Sequence, residues 1–162
     1  MITIIEQITI NADYQKVWGF LSDLEISLTS NSFHKKIIIP DKFSLTSSRP
    51  KFSIIHNFGL GNINMIVEIT NYIPLKSLEL FKNNNNKSYA GFEHSNKYEL
   101  IKNKNSTILK YSTIGSFNFK IQNIPFKPIL INVMKLELIN IKNTIESLDE
   151  FPVDIETKIT AT

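Results

Sequence analysis

Histidine is the side chain most readily turned to proton transfer or metal binding near neutral pH. The chain has three, His34, His56 and His94. Two imidazoles joined by a carboxylate could bind a metal or act as an acid–base pair. No close ligand spacing of the His-Glu-x-x-His kind supports this, so polar lining or surface histidines is the simpler expectation. Glu6 is the carboxylate to weigh beside them. It lies among Ile2, Ile4, Ile8 and Ile10, and strict alternation would bury it, where it could act as a general acid. A bulge at Ile4-Ile5, or an edge position for the strand, is the expected way out. Spacing gives no Ser–His–Asp arrangement. Gly59-Leu60-Gly61 joins two strands and lacks the helix and lysine that follow a phosphate loop. No catalytic residue, metal ligand or cofactor is assigned.

Composition narrows the setting. The chain has 162 residues, 42% of them apolar and 20% charged, which suits one well-packed domain over residues 1–150, with 151–162 as a tail. Absence of cysteine rules out structural disulfides and thiolate zinc sites and suits a reducing, cytoplasmic compartment. The N-terminal residues lack the basic and apolar segments of a secretory signal. Ile129 to Ile141, the most apolar later stretch, contains Asn132, Lys135 and Glu137 and is no membrane span. The net charge is +3, Arg49 is the only arginine, and the lysines are scattered. No basic stripe for nucleic acid results.

Hydrophobic periodicity then places the elements. Residues 2–10 alternate β-branched with polar side chains and form a strand. Asn11 is positioned to cap a helix over 13–27, whose stripe is Val17, Phe20, Leu21, Leu24 and Leu28, and which Thr29-Ser30-Asn31-Ser32 ends either directly or after a short second helix. Six further strands are expected over 34–39, 51–58, 62–72, 77–83, 92–102 and 106–117. Their short connections favour antiparallel pairing. Pro125 opens a long helix to about residue 148, with Leu130, Met134, Leu138, Ile141, Ile145 and Leu148 on one stripe. The expected architecture is α+β, in β-α-β6-α order. A curved seven-stranded antiparallel sheet wraps around the C-terminal helix, the only element large enough to cover the sheet's apolar face.

Alternation also predicts the inward-facing set. It contains Phe52, Ile54, His56 and Phe58, then Ile63, Met65, Val67 and Ile69, then Leu80. His94, Asn96, Tyr98 and Leu100 follow, and Leu109, Tyr111 and Thr113 complete it. A one-residue bulge would invert any of these runs. A solid core would avoid so many unpaired polar groups, whereas a ligand pocket with an apolar body and a few polar anchors would want them. The expected ligand-binding residues are therefore Ile54, His56, Phe58, Met65, Val67, Ile69, Leu80, His94, Asn96, Tyr98, Tyr111 and Thr113, together with Leu130, Met134 and Leu138 of the helix.

The order of elements and several passages resemble the helix-grip superfamily called START-like or SRPBCC, which includes plant pollen allergens, polyketide cyclase-like proteins and lipid-transfer domains. The resemblance centres on Ile8-Thr9-Ile10-Asn11-Ala12-Asp13-Tyr14-Gln15-Lys16-Val17-Trp18, with Asp13 where such proteins usually carry proline. Val67-Glu68-Ile69 followed by Pro74-Leu75-Lys76-Ser77-Leu78-Glu79-Leu80 is similar to the family's glutamate, proline and apolar-strand passage. Asn105-Ser106-Thr107-Ile108-Leu109 is similar to its Gly-Thr turn, without the glycine. None of these motifs carries a catalytic residue.

The resemblance implies binding or transport of a hydrophobic small molecule, such as a lipid, a polyketide-like ring or an isoprenoid, without catalysis. The loops near residues 58–62 and 83–88, or the long helix, would gate entry. A cyclase- or dehydratase-like enzyme is the first alternative, with His56, His94, Tyr98 or Glu6 as its acid–base candidates. The second is a protein-interaction module acting through Phe117–Phe126. Such a chain would be a monomer or a homodimer.

Overall fold

The computed structural model describes residues 1–57, 61–84, 92–117 and 123–148. Seven strands form one antiparallel sheet: β1 (Ile2–Ile10), β2 (His34–Ile38), β3 (Lys51–Asn57), β4 (Asn62–Ile73), β5 (Ser77–Asn84), β6 (Phe92–Asn103) and β7 (Ser106–Phe117). The order β1-β7-β6-β5-β4-β3-β2 makes β2 to β7 a continuous meander, with β1 added beside β7. Short connections leave no room for crossovers, which is why every pairing is antiparallel. The C-terminal helix α3 (Asn123–Ser147) buries Met134, Leu138, Ile141 and Ile145 against the sheet. It begins two residues before Pro125 and carries Pro128 inside its first turns.

The first helical segment is broken where one helix over 13–27 was expected. α1 (Tyr14–Ser22) and α2 (Leu24–Ser27) meet at Asp23, whose backbone is extended. Its side chain accepts from Ile26 N at 3.2 Å and so starts a new helix. A 3₁₀ turn over Leu28–Ser30 follows. The cap of α1 is Asp13, which accepts from Lys16 N at 2.8 Å. Asn11 instead donates its backbone N–H to Glu146 on α3 at 2.6 Å.

Strand β1 pairs with β7 without a register shift. The edge position, and not a bulge, resolves Glu6: its carboxylate is about a quarter exposed and lies 4.0 Å from Lys135 Nζ on α3. Bulges do occur between His34 and Lys36 in β2 and between Ile69 and Asn71 in β4. The β4 bulge comes after Ile69, so Met65, Val67 and Ile69 keep their inward phase. Beyond it the phase changes, and Tyr72 packs on Trp18 with ring centroids 5.5 Å apart.

Gly115 permits a close approach on β7. A Cβ there would stand 2.5 Å from both Glu93 O and His94 Cβ, and 2.9 Å from Phe92 Cζ. Two of these atoms cannot swing away. Gly115→Ala is expected to cost about 1–3 kcal/mol through overpacking, measured as a lower urea midpoint at unchanged slope. A midpoint within error of the wild type would show that the strand relaxes freely.

Candidate functional site

The concave face of the sheet buries Ile54, His56, Met65, Val67, Ile69, Leu80, Asn96, Tyr98, Tyr111 and Thr113, and α3 adds Met134 and Leu138. His94 and Leu130 are half-buried. Phe58, the hairpin residues Gly59 and Leu60, most of the 83–88 loop and the 151–162 tail lie outside the described residues. So does most of the Phe117–Phe126 segment, although the Phe117 and Phe126 rings lie 4.8 Å apart. On α3, Ile129, Leu136 and Ile139 are exposed.

Four of the polar groups expected to orient a ligand are already engaged within the protein. Thr113 donates to Asn96 Oδ1 at 2.7 Å, across the β6–β7 pair. Tyr98 donates to Glu137 Oε1 at 2.8 Å and Tyr111 to Glu137 Oε2 at 3.4 Å. The two tyrosine rings stack at 4.5 Å. Asn31 Nδ2 also donates to Glu137 Oε2, at 2.8 Å. Burial first, and then the Glu137 charge, push both tyrosine hydroxyls well above their ordinary range. A buried carboxylate taking three hydrogen bonds is how such a group is tolerated in a core. Chemically this cluster clamps α3 to β6, β7 and the turn before β2.

A second buried cluster lies farther along β5, where Lys82 follows Leu78 and Leu80 in phase. Lys82 is 1% exposed. It pairs with Val67 on one side and His94 on the other. Its Nζ donates to His34 Nε2 at 3.3 Å. His34 can accept there because its Nδ1 faces Leu28 O at 2.6 Å and donates to it. The His34 and His56 rings meet edge-on at 4.6 Å. His94 stacks on Phe92 at 4.7 Å, with Nδ1 2.7 Å from Phe92 O.

The electrostatics follow from burial around one cation. Burial, then the Lys82 charge, hold His34 down to about 2 and His94 to about 3, and push His56 lower still. All three imidazoles are therefore neutral. Burial lowers Lys82 to about 8, and Glu137 acts through space in the opposite direction. None of the described ion pairs includes Lys82. Among the described residues, no group of three or more His, Cys, Asp or Glu side chains is arranged to hold a metal ion.

The concave face is closely packed at both ends, with Ile54, Val67 and Lys82 as fully buried as Leu80. Toward α1 and α2 the interior is closed. The cavity enclosed there by Leu21, Leu28, Leu80, Tyr98 and Ile141 has a volume of about 10 Å³, room for one water and no organic molecule. An open cleft of about 310 Å³ lies on the outer side, between Ile26, Thr29 and Asn140. Lys82 and the histidines lie toward the other end, where β3, β5 and β7 finish and β4 and β6 begin. No described helix is long and apolar enough to cross a membrane.

Sequence reasoning missed Lys82 and Glu137, and it did not place His34 inside. A signal existed for the first two. Lys82 continues the Leu78, Leu80 alternation, and Glu137 lies three residues after Met134 and four before Ile141 on the buried stripe. His34 reaches the interior from an edge strand with a bulge, which no periodicity reports.

No protein-family model matches the chain, and no curated protein does. Solved structures match it closely in shape. A conserved protein from Geobacillus kaustophilus superposes with a TM-score of 0.73 at 16% identity, over 89% of this chain and 95% of that one. A START superfamily protein from Mycobacterium smegmatis gives 0.69 at 10% identity, over 89% of this chain and 97% of its own. The di-domain ARO/CYC StfQ from the steffimycin biosynthetic pathway gives 0.70 at 7%, over 89% of this chain and 50% of that chain. Likeness at such low identity is a likeness of fold, and the fold is the START-like helix grip that the passage from Ile8 to Trp18 implied.

Proposed function

We propose that the chain binds an apolar small molecule between the sheet and α3, at the Lys82 end of the concavity, and releases it unaltered. One observation carries this reading. Lys82 is a fully buried amine whose hydrogen-bond partner among the described residues is a neutral imidazole. Folding alone gains nothing from such a group, because burying a cation without a carboxylate opposes stability. Ile54, Met65, Val67 and Met134 are buried on the concave side and would line the ligand's apolar body, each Å² covered being worth about 25 cal/mol. The fold also supports the reading, since solved proteins of this shape include one named for the START superfamily.

The test uses N-phenyl-1-naphthylamine, a neutral apolar probe whose emission rises on leaving water. Saturable binding to the full chain is expected. Met65→Trp should weaken it about tenfold or more, by placing a larger ring on the buried face opposite Ile54. A variant that keeps its melting temperature and binds the probe unchanged would show the inner face to be wrongly assigned, and absence of saturable binding to the wild type would end the reading. The Lys82–His34 contact favours a second reading, acid–base catalysis on the same molecule. Native mass spectrometry of protein from its own host separates the two: a co-purified molecule recovered unchanged after incubation supports binding, and a chemically altered one supports an enzyme.

A further inference from the structure

We infer that Lys82 is the anchor for a carboxylate, so that the bound molecule is an amphipathic monoanion with an apolar body. This rests on the binding reading above and specifies its ligand.

An ammonium has three donors. Among the described residues Lys82 uses one, to His34 Nε2 at 3.3 Å. The carboxylate whose charge reaches Lys82, Glu137, makes its hydrogen bonds to Tyr98, Tyr111 and Asn31 instead. The other titratable groups facing Lys82 are His34 from β2, His56 from β3 and His94 from β6, and burial keeps all three uncharged. With Lys82 held down to about 8, the amine is still mostly protonated at pH 7. Lys82 therefore carries one positive charge among neutral polar neighbours and buried apolar side chains. An anion reaching it forms charge-assisted hydrogen bonds in a medium where they are strong.

The kind of anion follows from the donor set. A phosphate dianion calls for several cations or a planar guanidinium fork. The only arginine, Arg49, is exposed and pairs with Glu68 on the outer surface. A single ammonium suits a monoanion, and the carboxylate is the monoanion an apolar metabolite commonly carries. The walls beside it, Val67 on β4 and Phe92 on β6, suit the hydrocarbon or ring that follows.

The experiment compares cis-parinaric acid with its methyl ester by fluorescence titration of the wild-type chain at pH 7. The acid is expected to bind about tenfold or more tightly than the ester. Lys82→Met should bring the affinities for acid and ester to within about twofold of each other. Its melting temperature should rise, because a buried cation has been replaced by an apolar side chain of similar length. Equal binding of acid and ester to the wild type, with the neutral probe still bound, overturns the carboxylate anchor and leaves the binding reading standing. Failure of the neutral probe and of both parinaric compounds overturns the two together. The comparison of acid with ester needs only the wild-type protein, so it does not depend on how the variant folds.

Discussion

Glu137→Ala is expected to lower the unfolding free energy by about 3–5 kcal/mol, the range for removing one partner from a buried charged network. Alanine leaves the Tyr98 and Tyr111 hydroxyls and the Asn31 amide without the oxygens they donate to. Each stranded buried donor costs roughly 1–3 kcal/mol, and the lost side-chain volume adds a cavity term. Glu137→Gln should cost less, because one acceptor oxygen is kept while the new amide meets donors already in place. Urea denaturation followed by circular dichroism orders the three proteins. A loss below about 1 kcal/mol in Glu137→Ala would mean that the cluster does not hold α3 to the sheet. The same substitution removes the carboxylate that raises Lys82, so the Lys82 amine should titrate below about 8 in that variant.

The clamp explains why the fold was readable in outline and the site only in part. Strand order, antiparallel pairing and the covering helix follow from period-two alternation, short turns and one long apolar stripe. These signals average over many residues, and single exceptions do not disturb them. The site consists of exceptions. Lys82 and Glu137 occupy positions where the pattern calls for an apolar residue, and each reads locally as an ordinary charged side chain. Their burial becomes intelligible only when Tyr98, Tyr111 and Asn31 arrive from elements 39, 26 and 106 residues away in sequence. Conversely, Asn96 and Thr113 read as ligand anchors because alternation gives the face of a side chain and not its partner. The structure joins them to one another at 2.7 Å.

This redistribution changes where a ligand has to be sought. Polar groups spread evenly over the inner face would orient a molecule anywhere along the concavity. In the structure the middle of the face is self-satisfied through Glu137, and α1 with α2 fills the near end down to a cavity of about 10 Å³. Hydrogen-bonding capacity is left at Lys82. The long helix is then a fixed wall, held at Asn11, Thr9 and Ser30 by Glu146, Lys142 and Asn140. The binding proposed above is therefore placed toward Lys82, away from α1 and α2.

Mild acid should begin to destabilise this protein at about pH 6.5, before most carboxylates protonate. His34, His56 and His94 titrate near 6.5 when unfolded, and the fold holds them far lower, His34 at about 2 and His94 at about 3. Below about pH 6.5 the unfolded chain takes up protons that the folded chain refuses, so stability falls as pH falls. Each imidazole contributes up to about 1.4 kcal/mol per pH unit, and three acting together contribute about 4. A domain of ordinary stability, roughly 5–15 kcal/mol, would be largely spent between pH 6 and 4. Lys82 adds no slope in that window, because it is protonated in both states below about 8. It acts instead between about 8 and 10.5, where the unfolded chain still holds the proton and stability rises with pH. Above about 10 the two buried tyrosines reverse that trend, since the fold keeps them protonated. Urea midpoints measured from pH 4 to 10 should trace this curve, and His94→Gln should reduce the slope below pH 6 by about a third. A midpoint flat from pH 7 to 5 would mean that the imidazoles are charged in the folded protein, and the neutral lining assigned to Lys82 would then be wrong.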